Sequence, residues 1–273
     1  MIELFNLLLV NPIINILLVV YKALFFLHIP YALGFSIIII TIIIRFAIYP
    51  LISSQLKSSK KMQDISPHLS KLKEKHKGDA KRLQAETMRL YKEHGVNPVA
   101  GCLPVIIQLP IIWALYSVLQ KIVGLNPKLV VSEINKIVYF DFLKLDRPWD
   151  QYFLGLPLGQ NPSHLISTVG PLILLIPVAT GFFQFIQSKM MFKKPEPQKD
   201  LAKEDPKKKD DDFASAFQSQ SMYIFPVIIG FFSYNFPIGL SLYWNTFTIF
   251  GIIQQYRISG LGGLKEWINK IHG

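Results

Sequence analysis

The 273-residue sequence contains one cysteine, Cys102, which excludes an internal disulfide. It also lacks a GxxxxGK[ST] phosphate loop, a GxSxG nucleophile motif, an HExxH motif and any paired-cysteine metal motif. His68, His76 and His94 have no cysteine or carboxylate partners at metal-ligand spacing. We therefore expect no catalytic residues, no metal site and no cofactor, and we do not expect an enzyme.

Acidic residues are absent from five long apolar segments of a chain in which 51% of the residues are hydrophobic. Segments of this length and composition predict membrane-spanning helices, and an open sheet could not satisfy its backbone polar groups in lipid. The expected fold is therefore an all-α polytopic membrane protein with five spans. We place these spans at 31–54, 97–120, 164–189, 218–235 and 236–257.

The formal net charge of +11 lies mainly in the segments between the spans. Nucleic-acid binding is one explanation, but the bias of cytoplasmic loops toward Lys and Arg explains the charge without it, so we expect no specific nucleic-acid recognition. Segment 55–96 carries eleven basic and five acidic residues, and its helical pattern broken at 77–79 predicts a basic cytoplasmic hairpin. We assign the remaining segments as an outer loop at 121–163, a disordered cytoplasmic linker at 190–217 and a cytoplasmic tail at 258–273.

The N-terminal segment 1–30 is apolar, but polar residues interrupt it. Asn11 and Asn15 share one helix face, which predicts an amphipathic helix lying on the outer membrane interface. A transmembrane helix over residues 2–27 is the competing interpretation. Such a helix would change only the side on which the N-terminus lies, so charge counting does not reject it. We favour the interfacial helix, with the N-terminus outside and the C-terminus in the cytoplasm. Four residues of the outer loop are predicted to be aromatic or apolar interface anchors: Trp149, Tyr152, Phe153 and Leu154.

Arg45 is the one charge within the first predicted span. An arginine at the centre of a span costs about 2.5–3.5 kcal/mol on insertion scales, so its guanidinium needs protein partners or water. Thr41, Tyr49 and Ser53 follow the same four-residue spacing, so they form one polar stripe with Arg45 along the span. Because the spans contain no carboxylate to pair with Arg45, we expect a hydrated cavity that opens toward the cytoplasm.

We expect every predicted span except the fourth to contribute polar side chains. The second span contains Gln108, the third contains Gln184 and Gln187, and the last carries one polar sector. Hydrogen bonding between helices is the simpler explanation for Gln108 or Thr248 taken alone. The last-span sector comprises Ser241, Trp244, Asn245 and Thr248.

Three motifs resemble, in order and spacing, those of the YidC-type membrane protein insertases. They are TIIIRFAIYPL (41–51), NPVAGCLPVIIQLPIIWALYSVL (97–119) and FPIGLSLYWNTFTIFGIIQQY (236–256). The resemblance extends over roughly residues 11–257. It implies a five-helix core around a hydrophilic groove that is open to the cytoplasm and to lipid, in a bacterial plasma-membrane form without the large extracytoplasmic domain.

The resemblance also implies a function: insertion and folding of nascent membrane proteins as insertase and chaperone, alone or with the Sec translocon. The implied partners are nascent membrane proteins, membrane lipid, the ribosome and the Sec translocon. Arg45 matches the groove arginine of the family, Gln187 and Trp244 match its other polar positions, and Gln184 is an alternative to Gln187 in register. We include further polar residues in the expected substrate-binding groove: Gln108, Tyr49 and Asn245.

Two other functions would use a polar cavity in the membrane. A small-solute transporter or channel is disfavoured because the spans show no inverted repeat and hold no carboxylate for ion coupling. A passive assembly scaffold would have no use for a polar groove.

Overall fold

A computed structural model of the chain describes residues 2–76, 78–95, 103–123, 127–191 and 213–272 and is mostly helical, as the sequence predicts. The predicted linker lies largely outside these ranges, since residues 192–212 are not described. Helices within the described ranges are Ile2–Phe26 (α1), Ala32–Ala47 (α2), Tyr49–Asp64 (α3), Ser66–Lys75 (α4), Ala80–Glu93 (α5), Leu103–Val123 (α6), Pro127–Asn135 (α7), Pro162–Val169 (α8), Leu175–Met191 (α9), Phe213–Asn235 (α10), Ile238–Ser259 (α11) and Gly263–His272 (α12).

Two of these helices are long and apolar enough to cross a membrane, by length and composition. They are Ile2–Phe26 and the segment Pro171–Met191, in which a 3₁₀ turn precedes α9. A third candidate arises when Ala32–Ala47 and Tyr49–Met62 are taken together as one broken span. Two described helical segments are apolar but shorter: Leu109–Gln120 and Met222–Asn235.

The chain forms two compact units. The first contains Met1–Ile48, Val105–Gln184 and Val227–Phe250, and the second contains Tyr49–Pro104, Phe185–Pro226 and Gly251–Gly273. The core of the first unit is built from branched and aromatic side chains of its helices, which bury apolar area against one another. Its fully buried members include Ile14, Leu18, Leu33, Ile37, Leu115 and Tyr243.

Helix α1 is bound to the loop that follows α7 within the first unit. Asn15 is buried, and its amide donates to the carbonyl of Ile137 over 3.0 Å and accepts from the N–H of Tyr139 over 2.8 Å. The polar face that we predicted to meet water or headgroups therefore meets protein at Asn15. The face that α1 leaves exposed is apolar and includes Ile16 and Val19.

Trp149 is a core residue rather than the interface anchor that the sequence suggests. Its side chain is 4% exposed and meets the ring of Tyr21 edge-on, with 5.4 Å between centroids. Phe153 lies on the short strand Tyr152–Phe153 (β1), which pairs antiparallel with Leu156–Pro157 (β2). Its ring packs on Phe35 and lies where a Cβ on Gly34 would be.

The first predicted span is broken near its centre. Helix α2 ends at Ala47, Ile48 adopts φ −90° and ψ 0°, and α3 begins at Tyr49. Pro50 explains the break, because proline has no N–H to donate to the carbonyl of Phe46, four residues earlier, and its ring clashes with that carbonyl in a continuous helix. The sequence interpretation of one straight polar stripe from Thr41 to Ser53 is therefore wrong.

The second unit contains the basic segment between the first two predicted spans. Helices α4 and α5 contact each other on either side of Gly78, whose φ of +98° suits glycine. Asp79 caps α5, because its carboxylate accepts from the N–H of Arg82 over 3.0 Å. Few side chains of this segment are buried, and α5 buries none, so the packing around it is thin.

Candidate functional site

Arg45 lies in the last turn of α2 and is 2% exposed. One of its terminal nitrogens donates to the backbone carbonyl of Phe247 on α11, and its guanidinium carbon lies 3.2 Å from the centroid of the Phe247 ring. The ring of Phe250 is 5.9 Å away. A cation over an aromatic face is worth about 2 kcal/mol or more when both groups are removed from water. The same residue of α11 therefore stabilises the charge through its backbone and its ring.

No carboxylate among the described residues forms an ion pair with Arg45. The ion pairs recorded among the described residues all lie on exposed segments: Arg89–Glu93, Lys136–Glu133 and Lys144–Asp141. The Nε atom of Arg45 is buried and has no hydrogen-bond partner. A carbonyl dipole and a ring quadrupole leave a cation only partly compensated, so a visiting anion or water would gain by binding here.

Two more polar atoms near Phe247 along α11 lack partners. The side-chain oxygens of Asn245 and Thr248 are buried and make no hydrogen bond among the described residues. Native proteins leave few such atoms unsatisfied, and those that remain are commonly completed by water or a ligand. Arg45, Asn245 and Thr248 therefore each have unused hydrogen-bonding capacity in the first unit.

Trp244 lies in the same sector of α11 as Asn245 and Thr248. It precedes Phe247 by three residues, which places it about 4.5 Å further along the helix axis. Its indole N–H donates to the side-chain oxygen of Gln184 on α9 over 3.3 Å. Of the two glutamines that the sequence offers in this helix, Gln184 is the one that contacts Trp244.

Two other predicted groove residues belong to the second unit. Gln187 is half-buried and belongs to the second unit, as does Tyr49. The backbone carbonyl of Tyr49 accepts from the Gln254 amide over 3.2 Å, and that amide also donates to the Ser53 hydroxyl over 3.1 Å. The side chain of Gln108 lies outside the described residues.

A chain of hydroxyl groups in the first unit escaped the sequence interpretation. Ser233 on α10 is buried and lies 3.1 Å from the Thr180 hydroxyl and 2.8 Å from the Ser241 hydroxyl. Our statement that the fourth predicted span contributes no polar side chain was therefore wrong. The spacing of Gly230 and Ser233 was the available signal, since small residues three or four apart let membrane helices approach closely. A Cβ on Gly230 would lie 3.3 Å from the carbonyl oxygen of Pro177.

The role of Phe247 could not be inferred from the sequence. The predicted spans contain no carboxylate that could pair with Arg45, and the structure uses a backbone carbonyl, which every residue possesses. Within the described ranges, no group of three or more His, Cys, Asp or Glu side chains could hold a metal ion.

Comparison with known proteins identifies the family. Residues 24–262 match the family described as 60Kd inner membrane protein, which is most of the chain. The chain is also 34% identical to the membrane protein insertase YidC 2 of Bacillus anthracis over 83% of its own length and 72% of the relative. The chain belongs to this family.

Other members match it to a similar degree. The membrane protein insertase YidC of Fusobacterium nucleatum is 33% identical, with 84% of this chain and 87% of the relative covered. The chloroplast inner membrane protein ALBINO3 of Arabidopsis thaliana is 34% identical, with 87% of this chain and 49% of the relative covered.

A solved structure supports the family assignment at the level of the fold. It is a crystal structure of an active YidC insertase with its first transmembrane domain resolved, and it matches with a TM-score of 0.52 and 26% identity. The match covers 87% of this chain and 45% of the solved one. Family membership and the apolar helices together make the chain a membrane protein.

Proposed function

We propose that this chain is a membrane protein insertase and chaperone that inserts and folds nascent membrane proteins in a bacterial plasma membrane. Relatives that match over most of their length bear the name membrane protein insertase. The observation that carries the proposal is that Arg45 is buried and has no carboxylate partner among the described residues. A cation inside a membrane span costs free energy and commonly marks a functional site. Unsatisfied polar atoms at Asn245 and Thr248 accompany it.

The proposed mechanism follows from the cost of moving polar groups through lipid. A nascent single-span protein must carry a polar tail across a hydrocarbon core about 30 Å thick, and each unsatisfied backbone group there costs several kcal/mol. A hydrophilic groove that reaches partway into the membrane shortens this path. Arg45 attracts acidic groups of the tail, because charges interact more strongly there than in bulk water. The apolar substrate helix then moves into lipid by hydrophobic transfer, without a covalent step.

In this proposal the groove uses Arg45, Trp244, Gln184, Asn245, Tyr49, Gln187 and Gln108. The core has five spans, and the N-terminal helix lies on the outer interface. The N-terminus is outside and the C-terminus is in the cytoplasm. The basic hairpin 55–96 faces the cytoplasm and receives the substrate or the ribosome. Work beside the Sec translocon is compatible with the same groove.

A reconstitution experiment tests the role of Arg45. The purified full chain in liposomes is given single-span substrates whose N-terminal tails are acidic or neutral. We expect Arg45→Ala to reduce insertion of the acidic substrate about ten-fold and that of the neutral one about two-fold, because only the first uses the charge. Arg45→Lys should retain part of the activity, since it keeps the charge but loses the planar fork.

Lys136→Ala is the matched control, because it removes an exposed cation from the loop after α7. It should insert both substrates as the parent chain does. Failure of the parent chain to promote insertion would overturn the proposal. Solute flux through the same proteoliposomes without insertion would support a transporter instead.

A further inference from the structure

The second unit contains a cavity of about 380 Å³ that the proposed insertion groove does not use. It lies among α3, the end of α9, the end of α11 and α12. Its volume falls within the range of about 300–1,000 Å³ that is typical of small-molecule sites. Both polar and apolar side chains line it.

Gln255 supplies an unused hydrogen-bond acceptor at this cavity. The residue is 3% exposed, and its side-chain oxygen has no hydrogen-bond partner. Leaving a buried acceptor unpaired is costly, so the position favours a ligand that brings an N–H or O–H donor. A phosphodiester group by itself has no N–H or O–H, so it would leave this oxygen unsatisfied.

The charged groups at the cavity have a net charge of +1. Lys60 and Lys265 contribute two ammonium groups and Asp64 contributes one carboxylate. None of the three takes part in the ion pairs recorded for the described residues. The hydroxyls of Ser59 and Ser259 lie on the same lining. Two ammonium groups with hydroxyls nearby suit a phosphodiester, and the carboxylate suits a donor attached to it.

The apolar part of the lining lies at the end of a membrane-crossing helix. Met190 and Met191 end the segment Pro171–Met191, and Leu56 lies beside them on the lining. A 21-residue helix is about 31 Å long, close to the roughly 30 Å of the hydrocarbon core. Its last residues therefore lie at a membrane boundary, at the depth of phospholipid headgroups, whichever way the chain is oriented.

We propose that this cavity is a headgroup site for a glycerophospholipid whose phosphodiester carries an ethanolamine or a glycerol. Lys60 and Lys265 bind the phosphate, with Ser59 and Ser259 as hydrogen-bond partners. The ammonium or hydroxyl of the headgroup donates to the Gln255 oxygen and to Asp64. Leu56, Met190 and Met191 contact the start of the acyl chains. Choline has neither an N–H nor an O–H, so a phosphatidylcholine cannot satisfy Gln255.

Three ligand sources share parts of this chemistry. A soluble phosphate ester would leave the apolar lining without a partner, and an acidic peptide segment would match the charges but not the membrane depth. A phospholipid matches the charges, the donor requirement and the depth together. The proposal concerns binding alone and does not depend on insertion activity, so the two can fail separately.

Native mass spectrometry of the full chain tests the site. The protein in detergent is given equal amounts of phosphatidylethanolamine, phosphatidylglycerol and phosphatidylcholine of identical acyl chains, and retained lipids are counted. We expect the ethanolamine and glycerol lipids to be retained about ten-fold more than the choline lipid. The pair Lys60→Gln with Lys265→Gln should weaken retention about ten-fold, and Gln255→Leu should reduce the preference over choline.

The pair Lys57→Gln with Lys61→Gln is the matched control, because it removes two exposed lysines of α3 that do not line the cavity. It should retain lipid as the parent chain does, and all variants should have the parent's thermal unfolding profile. Equal retention of the three lipids would overturn the proposal. So would equally tight binding of soluble glycerophosphoethanolamine, or displacement of bound lipid by an acidic peptide at a lower concentration than by lipid itself.

Discussion

Phe247 contacts the guanidinium of Arg45 through both its backbone carbonyl and its ring. The carbonyl of Phe247 accepts a hydrogen bond from the guanidinium, and its ring lies 3.2 Å from the guanidinium carbon. In this arrangement the charge is covered by protein and 2% exposed. An acidic group that binds Arg45 must therefore displace the ring or share the cation with it, which makes Phe247 a competitor of the proposed substrate.

A double-mutant cycle measures this contact. Phe247→Leu removes the ring but keeps the backbone carbonyl, and Arg45→Met removes the charge with little change in length. We expect a coupling free energy of about 1–2 kcal/mol in the free energy of unfolding, measured by titration with a denaturing detergent in mixed micelles.

Phe250→Leu is the control for that cycle, since its ring is 5.9 Å from the same guanidinium carbon. Its coupling to Arg45→Met should be less than half as large, because the attraction weakens with distance. Equal coupling at the two positions would show that general packing, rather than the cation, accounts for the effect.

Helix α12 packs closely against the end of α9. Leu264 is buried, and the ring of Trp267 meets that of Phe185 edge-on with 5.9 Å between centroids. Gly262, at φ +51°, approaches so closely that a Cβ would overlap the carbonyl oxygen of Met190. The tail beyond the last predicted span is thus a folded part of the second unit.

Gly262→Ala should separate α12 from α9. Hydrogen–deuterium exchange of the backbone over 263–272 is expected to become about ten-fold faster, because the alanine methyl cannot fit against the Met190 carbonyl. Gly260→Ala provides the control: Gly260 also has a positive φ, +73°, but no atom lies within 4 Å of its added Cβ. If the two substitutions accelerated exchange equally, backbone strain alone would explain the faster exchange.

The whole molecule has its charge distributed unevenly along the sequence, and this distribution predicts its orientation. Segment 55–96 carries a net charge of +6, whereas the loop 121–163 carries +1. Because short loops rich in Lys and Arg stay in the cytoplasm, the first segment should be cytoplasmic and the second outside.

Cysteine labelling in intact cells tests this orientation. Cys102→Ser makes the chain cysteine-free in one step, and Glu74→Cys or Asp146→Cys then places one thiol in each segment. A membrane-impermeant maleimide should label Asp146→Cys in intact cells and Glu74→Cys only after the membrane is opened. The cysteine-free chain should remain unlabelled, and labelling of both positions from the same side would contradict the predicted topology.

Much of the candidate site was visible in the sequence because it depends on residue type and period. A charge in an Ile-rich segment identifies Arg45, and helical spacing places Trp244, Asn245 and Thr248 in one sector of α11. Pro50 was a further signal in the sequence, because proline breaks a helix. The break that it causes interrupts the polar stripe that we predicted from Thr41 to Ser53.

The sequence by itself indicated that this chain is helical, that it resides in a membrane and that one predicted span carries an arginine with no carboxylate in any predicted span to pair with it. Apolar length, helical period and the absence of acidic residues in the spans are local properties. Only the tertiary structure decided that Phe247 holds Arg45, that Gln184 meets Trp244 and that Ser233 joins two other hydroxyls. These contacts depend on the rotation and register of packed helices, and the partner atoms include backbone carbonyls that no residue type distinguishes.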